Sequence, residues 1–166
     1  MIRIFISLIT CAFLFTVSCS NSENKKTQNN NVSESVLDYM QMDSPNSFVP
    51  LGIKISAPEN SLNAKYFIIN KDIAEIDFDY MDNSYIYRAS KNSNSLLSFY
   101  GDYTNSGKNF IEGDINVEYN ISSNAEKFTL WRVDDIYYVL SSKAEDDTDL
   151  INLSSEYIKR IHFNKN

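Results

Sequence analysis

The chain has 166 residues, with 22 acidic against 15 basic side chains for a formal net charge of −7, two cysteines and one histidine. An acidic balance of that size speaks against nucleic acid, or an anionic bilayer met by the folded part, as a partner. Four glycines, none of them in a Gly-rich run, exclude a loop that cradles nucleotide phosphates.

The first predicted element is a signal peptide over 1–18. Arg3 supplies a basic start, and Ile4 to Val17 is almost wholly apolar. At about 1.5 Å per residue that run makes a helix of roughly 21 Å, short of the roughly 30 Å hydrocarbon core. A basic start, a short apolar run and small residues at the cut describe a secretory signal rather than a membrane span. A buried N-terminal helix is the weaker alternative, because no polar stripe gives the run an amphipathic face.

Thr16-Val17-Ser18-Cys19 closes this segment and resembles the lipobox of bacterial lipoproteins, with Thr16 standing where that family prefers Leu. The resemblance covers Met1 to Cys19 and nothing beyond. It implies a lipid such as palmitate on the Cys19 thiol, cleavage just before Cys19, and a protein anchored to a cell-envelope membrane, facing outward from the cytoplasm. A lone acyl chain holds a protein only marginally, whereas two or more hold it stably. Cys11 is the poorer attachment site, since a cut there leaves too short an apolar core. With Cys11 lost and Cys19 acylated, the mature chain has no thiol for a disulfide, a redox pair or a cysteine-based zinc site. The alternative is an ordinary secreted protein with a free thiol at Cys19.

Residues 19–31 read as the lipidated cysteine and a flexible tether. Ser20 to Asn31 contains no aliphatic or aromatic residue and cannot bury enough surface to order itself. A flexible dozen residues spans roughly 20 Å. Residues 32–166 then form one domain, roughly 130 residues being enough for one and few for two.

Within that domain Val32, Val36, Leu37, Tyr39 and Met40 have a rough helical spacing, predicting a helix over Val32–Met42 that Pro45 and Pro50 forbid from continuing. Alternation follows. In "DIAEIDFDY" Ala74, Ile76, Phe78 and Tyr80 share one face and Glu75, Asp77 and Asp79 the other; "DINVEYNI" repeats the pattern from Ile115 to Ile121. Further strands are expected at Lys65–Ile69, Ser84–Ala89, Lys127–Val133 and Ile136–Ser141, with turns at Asn70-Lys71-Asp72 and Asp134-Asp135. "DLINLSSEYIKRI" predicts a terminal helix, acidic at its start and basic at its end. The expected fold is α+β: one antiparallel sheet of about five to six strands, with helices from both ends of the domain packed on one face.

From Val32 onward no domain family is evident, and chemistry must be read from the residues. His162, the only histidine, lies at the last turn of the terminal helix and suits a structural or solvated role better than a triad. Glu75, Asp77 and Asp79 look alike and wet, so nothing pulls their pKa values apart for acid–base work. They also lack the spacing and glycine of an EF-hand, so no metal and no cofactor is implied. The acidic run Glu145-Asp146-Asp147, with Asp149, sits where a helix start favours negative charge. Tyr85, Tyr87, Trp131, Tyr137 and Tyr138 lie on expected strands, with Tyr137 and Tyr138 necessarily on opposite faces. The simpler reading puts Trp131 and about half of the tyrosines in the core, the other an aromatic ligand platform. These features suggest a non-catalytic binding or sensing module. Its protein or peptide partner would meet the helix-free sheet face through Glu75, Asp77 and Asp79, with Arg88 or a tyrosine from the next strand. The alternatives are a lipid or lipoprotein carrier with an apolar cavity, and an extracytoplasmic hydrolase.

Overall fold

A computed structural model of the protein describes residues 37–163, and side chains as far as Ile161. The signal, Cys19 and the tether, as well as the His162 side chain, lie outside the described residues. Nine strands form one antiparallel sheet: β1 (Tyr39–Met42), β2 (Leu62–Ile69), β3 (Ile73–Tyr80), β4 (Asn83–Ser90), β5 (Tyr103–Asn105), β6 (Phe110–Glu112), β7 (Ile115–Ser122), β8 (Lys127–Val133) and β9 (Ile136–Ser142). The order is β1-β2-β3-β4-β9-β8-β7-β5, and β6 also pairs with β7. The chain lays down β1 to β4 as a meander, passes to the far edge, and returns until β9 pairs with β4.

This mostly-β architecture corrects the expected α+β arrangement. The expected strands are present, and β1, β5 and β6 are additional. Among the described residues one long helix, α2 (Thr148–Phe163), flanks the sheet, joined by the short α1 (Ser93–Leu97) and a 3-10 helix at Pro45–Leu51. The predicted N-terminal helix is overturned where it can be seen, because Tyr39–Met42 is an edge strand in register with Tyr66–Ile69. Asp38 and Asn70 lock that register: the Asn70 N–H donates to Asp38 O and the Asp38 N–H to Asn70 Oδ1, each at 3.0 Å. A loose helical spacing without a full apolar stripe loses to a ladder of backbone hydrogen bonds on an open sheet edge.

Tight turns allow the meander. Asn70 and Lys71 have φ of 51° and 64°, and Met81 and Asp82 have 47° and 64°. Two consecutive left-handed residues match the twist of an antiparallel hairpin. Asp134 adopts φ 54° in the two-residue turn between β8 and β9.

The sheet is covered on both faces, unequally. One face carries Ile76, Phe78, Tyr85, Tyr87, Val117, Tyr119, Trp131, Tyr138 and Leu140, packed with Leu150, Leu153, Tyr157 and Ile158 of α2 and Phe48 of the 3-10 helix. Tyr87 lies 4.2 Å from Tyr157 and 5.9 Å from Trp131, centroid to centroid, in a stacked group of rings that fills the space beneath α2. Ser154 seats the helix: its Oγ donates to Leu150 O at 2.8 Å and shares a 2.7 Å hydrogen bond with Thr129 Oγ1 of the sheet. The other face holds a smaller cluster in which Leu96 and Tyr100 pack on Ile69, Ile73, Phe128 and Val139, with Leu130 at its margin.

Candidate functional site

Glu75, Asp77 and Asp79 point to this second face, as the alternation in β3 requires, but they do not form one wet row. Glu75 is 3 % exposed and lies directly across from Arg88 of β4, itself 6 % exposed. Arg88 Nε donates to Glu75 Oε2 at 2.5 Å, and its Nη1 donates to Tyr100 Oη at 3.0 Å. The guanidinium also sits 4.0 Å from the Phe99 ring centroid, a cation–π arrangement. Burial raises the Glu75 carboxyl and Arg88 draws it back only in part. Burial opposes the charge on Arg88 as well, but Tyr100 and Glu75 hold it firmly protonated.

The cover over this pair is the segment after β4. Asn92 caps α1 by accepting from the N–H groups of Asn94 and Ser95. The following Leu96, Leu97, Phe99 and Tyr100 then fold down on the sheet. The expectation of an open, helix-free face is therefore corrected at Glu75. The apolar cluster Leu96-Leu97-Ser98-Phe99-Tyr100 was the available signal, since that much apolar surface in a polar chain needs a place to bury.

Asp77 and Asp79 lie beyond this cover. They line a depression of about 550 Å³ with Asn63, Lys65 and Ser84. Asp79 is shared with a second depression of about 450 Å³ that adds Leu62, Met81 and Asp82. Leu62 and Met81 are each 67 % exposed, so two apolar side chains flank a polar, acidic surface at the β3–β4 hairpin tip. Asn63 Nδ2 and Ser84 Oγ each donate to the Asp79 carboxylate at 2.7 Å, and these bonds hold its pKa below the usual carboxylate range. Asp77 is raised by burial against the lowering pull of Arg88 and Lys65, and its Oδ1 is buried without a hydrogen-bond partner. The three carboxylates are thus unlike one another, contrary to the sequence reading. Asn63, Lys65 and Ser84 went unnoticed because only the register of β2, β3 and β4 brings them beside Asp77 and Asp79.

The other expected features separate cleanly. Trp131, Tyr85, Tyr87 and Tyr138 belong to the core beneath α2, and Tyr137 faces the opposite side. Asp147 binds Lys108 Nζ at 2.5 Å and Lys127 Nζ at 2.7 Å, and so ties the entry of α2 to β8 and the β5–β6 loop. Among the described residues no group of three or more histidine, cysteine or acidic side chains is placed to hold a metal ion. No described helix is long and apolar enough to cross a membrane. No protein-family model matches the chain, and neither a curated protein nor a solved structure matches it.

Proposed function

We propose that the protein is a lipid-anchored, outward-facing binding module without catalytic activity, tethered to a cell-envelope membrane through Cys19. Its site is the open end of the second sheet face, where β2, β3 and β4 present Asp77, Asp79, Asn63, Lys65 and Ser84 beside Leu62 and Met81. Support comes from the two depressions that meet at Asp79, one edged by exposed apolar side chains and the other lined by the Asp77 and Asp79 carboxylates. The chemistry suits a basic peptide segment bearing an apolar residue: the cation meets Asp77 and Asp79, and the apolar side chain meets Leu62 and Met81. Such charges chiefly set the association rate and its salt dependence.

The test is fluorescence polarisation with a short lysine-rich peptide carrying a central leucine, against the wild type and the D77K/D79K variant. The variant should still unfold cooperatively and should bind at least tenfold more weakly at low ionic strength, the gap narrowing as salt is added. Equal binding by the two proteins overturns the reading.

One observation favours a second reading, the hydrolase. Asp77 is shifted up and Asp79 down on the same depression, and a pair driven apart in this way can divide acid and base roles. A hydrolytic activity lost in Asp77→Asn while peptide binding persists would favour it.

A further inference from the structure

A separate cleft opens on the opposite face of the sheet, between the 3-10 helix, the extended residues 53–56 and the C-terminal half of α2. It encloses about 290 Å³. Beneath it lies Tyr87, 1 % exposed and already covered by the stacked Tyr157 ring. Ile53 and Ile55 form one wall, Tyr157 and Ile161 the other. Tyr157 Oη donates to Ser56 O at 3.0 Å and joins the two walls. Lys54 and Arg160 stand at its mouth, and among the described residues no carboxylate lines it. That is unusual in a chain of net charge −7, whose depressions around Asp77, Asp79 and Asp149 all carry acidic groups. Arg160 lies 3.8 Å from Glu156, with both side chains about half exposed, a pairing too weak to occupy the guanidinium. Lys54 has no ion pair among the described residues.

We propose that this cleft binds a small amphipathic carboxylate. Its flat or short-chain apolar body lies against the exposed Val49 and the half-buried Ile161, over the buried Ile53, Ile55 and Tyr157, and its carboxylate reaches Arg160 and Lys54. Arginine is suited to that group because its planar fork matches a carboxylate in two parallel hydrogen bonds. The volume sets the size of the ligand: about 290 Å³ lies just under the roughly 300–1,000 Å³ of drug-sized pockets, so the cleft admits a single ring or a short acyl chain and not a two-chain lipid. The site is independent of the Asp77–Asp79 surface, and the failure of one leaves the other standing.

The experiment is a two-dimensional NMR titration of the mature chain with hexanoate, phenylacetate and indole-3-acetate, each beside its uncharged amide. At least one acid should give saturable shifts at Ile53, Ile55, Tyr87 and Tyr157, and its amide should bind at least tenfold more weakly. Arg160→Gln and Lys54→Gln change exposed side chains, so the fold survives; together they should raise the dissociation constant of the acid at least tenfold and leave that of the amide unchanged. The proposal is overturned if none of the three acids gives saturable shifts at these residues, if acid and amide bind equally, or if the double variant binds the acid as the wild type does.

Discussion

At the scale of single residues, two features depart from what local preference favours, and each has a measurable consequence. Arg88 and Glu75 place opposite charges in the interior, where each is tolerated only because of the other. Arg88→Met should cost about 3–5 kcal/mol in urea unfolding, because it leaves a buried carboxylate without its cation. The double variant E75L/R88M should recover most of that loss. A single-variant cost below about 1 kcal/mol would mean that Glu75 is solvated after all. Met81 holds φ at 47° on a hairpin tip, a conformation that glycine adopts without the penalty a Cβ incurs. Met81→Gly should therefore raise stability by about 0.5–1 kcal/mol. If Met81 is part of the binding surface, the same change should weaken capture of the leucine-bearing peptide while the protein becomes more stable. That opposition separates a functional from a merely tolerated methionine.

At the scale of elements, α2 is tied to the sheet at its start and at its middle. Thr129 and Ser154 fix its middle, and Asp147, just before its first turn, receives Lys108 and Lys127. Hydrogen bonds from the two lysines hold the Asp147 carboxyl well below the usual carboxylate range. A carboxylate whose folded pKa is depressed stabilises the fold above its unfolded value, about 3.9, and that contribution disappears as pH falls toward the folded value. Stability should thus decline as pH drops below about 4, and Asp147→Asn should flatten that part of the acid limb. At neutral pH the same variant should lose about 1 kcal/mol, the upper range for an ion pair that still touches solvent. Thermal melts of the two proteins from pH 7 down to pH 2 would show it; parallel curves would remove Asp147 from the account.

At the scale of the whole molecule, the two faces of the sheet have divided roles. The larger core lies beneath α2, and the smaller is closed by α1 and Phe99–Tyr100. The β2–β4 end of the second face lies outside that cover. In the proposed arrangement the lipid on Cys19 holds this domain at a membrane through the polar tether. Cys19→Ala should abolish metabolic labelling with a fatty acid and cleavage at that site, and should leave the melting temperature of the domain unchanged. Equal labelling of the variant would sink the anchor.

What the sequence determined alone was whatever depends on period and on neighbours in the chain. Alternation in "DIAEIDFDY" and "DINVEYNI" was enough for strands, because a strand with one buried face must repeat every two residues. The turns at Asn70-Lys71-Asp72 and Asp134-Asp135, and the terminal helix, were legible for the same reason. Strands β1, β5 and β6 were not: they are three or four residues long, too short for a period to show, and each takes its conformation from the strand it pairs with. Nor could alternation tell a wet face from a covered one. It put Glu75, Asp77 and Asp79 on one side, but whether that side meets water was decided by α1 and Phe99–Tyr100, which follow β4 in the chain. Register then divided the row. It set Glu75 against Arg88 under the aromatic cover, and left Asp77 and Asp79 beside Lys65, Asn63 and Ser84 outside that cover and only partly buried, because pairing between strands is a property of distance in space and not of distance along the chain.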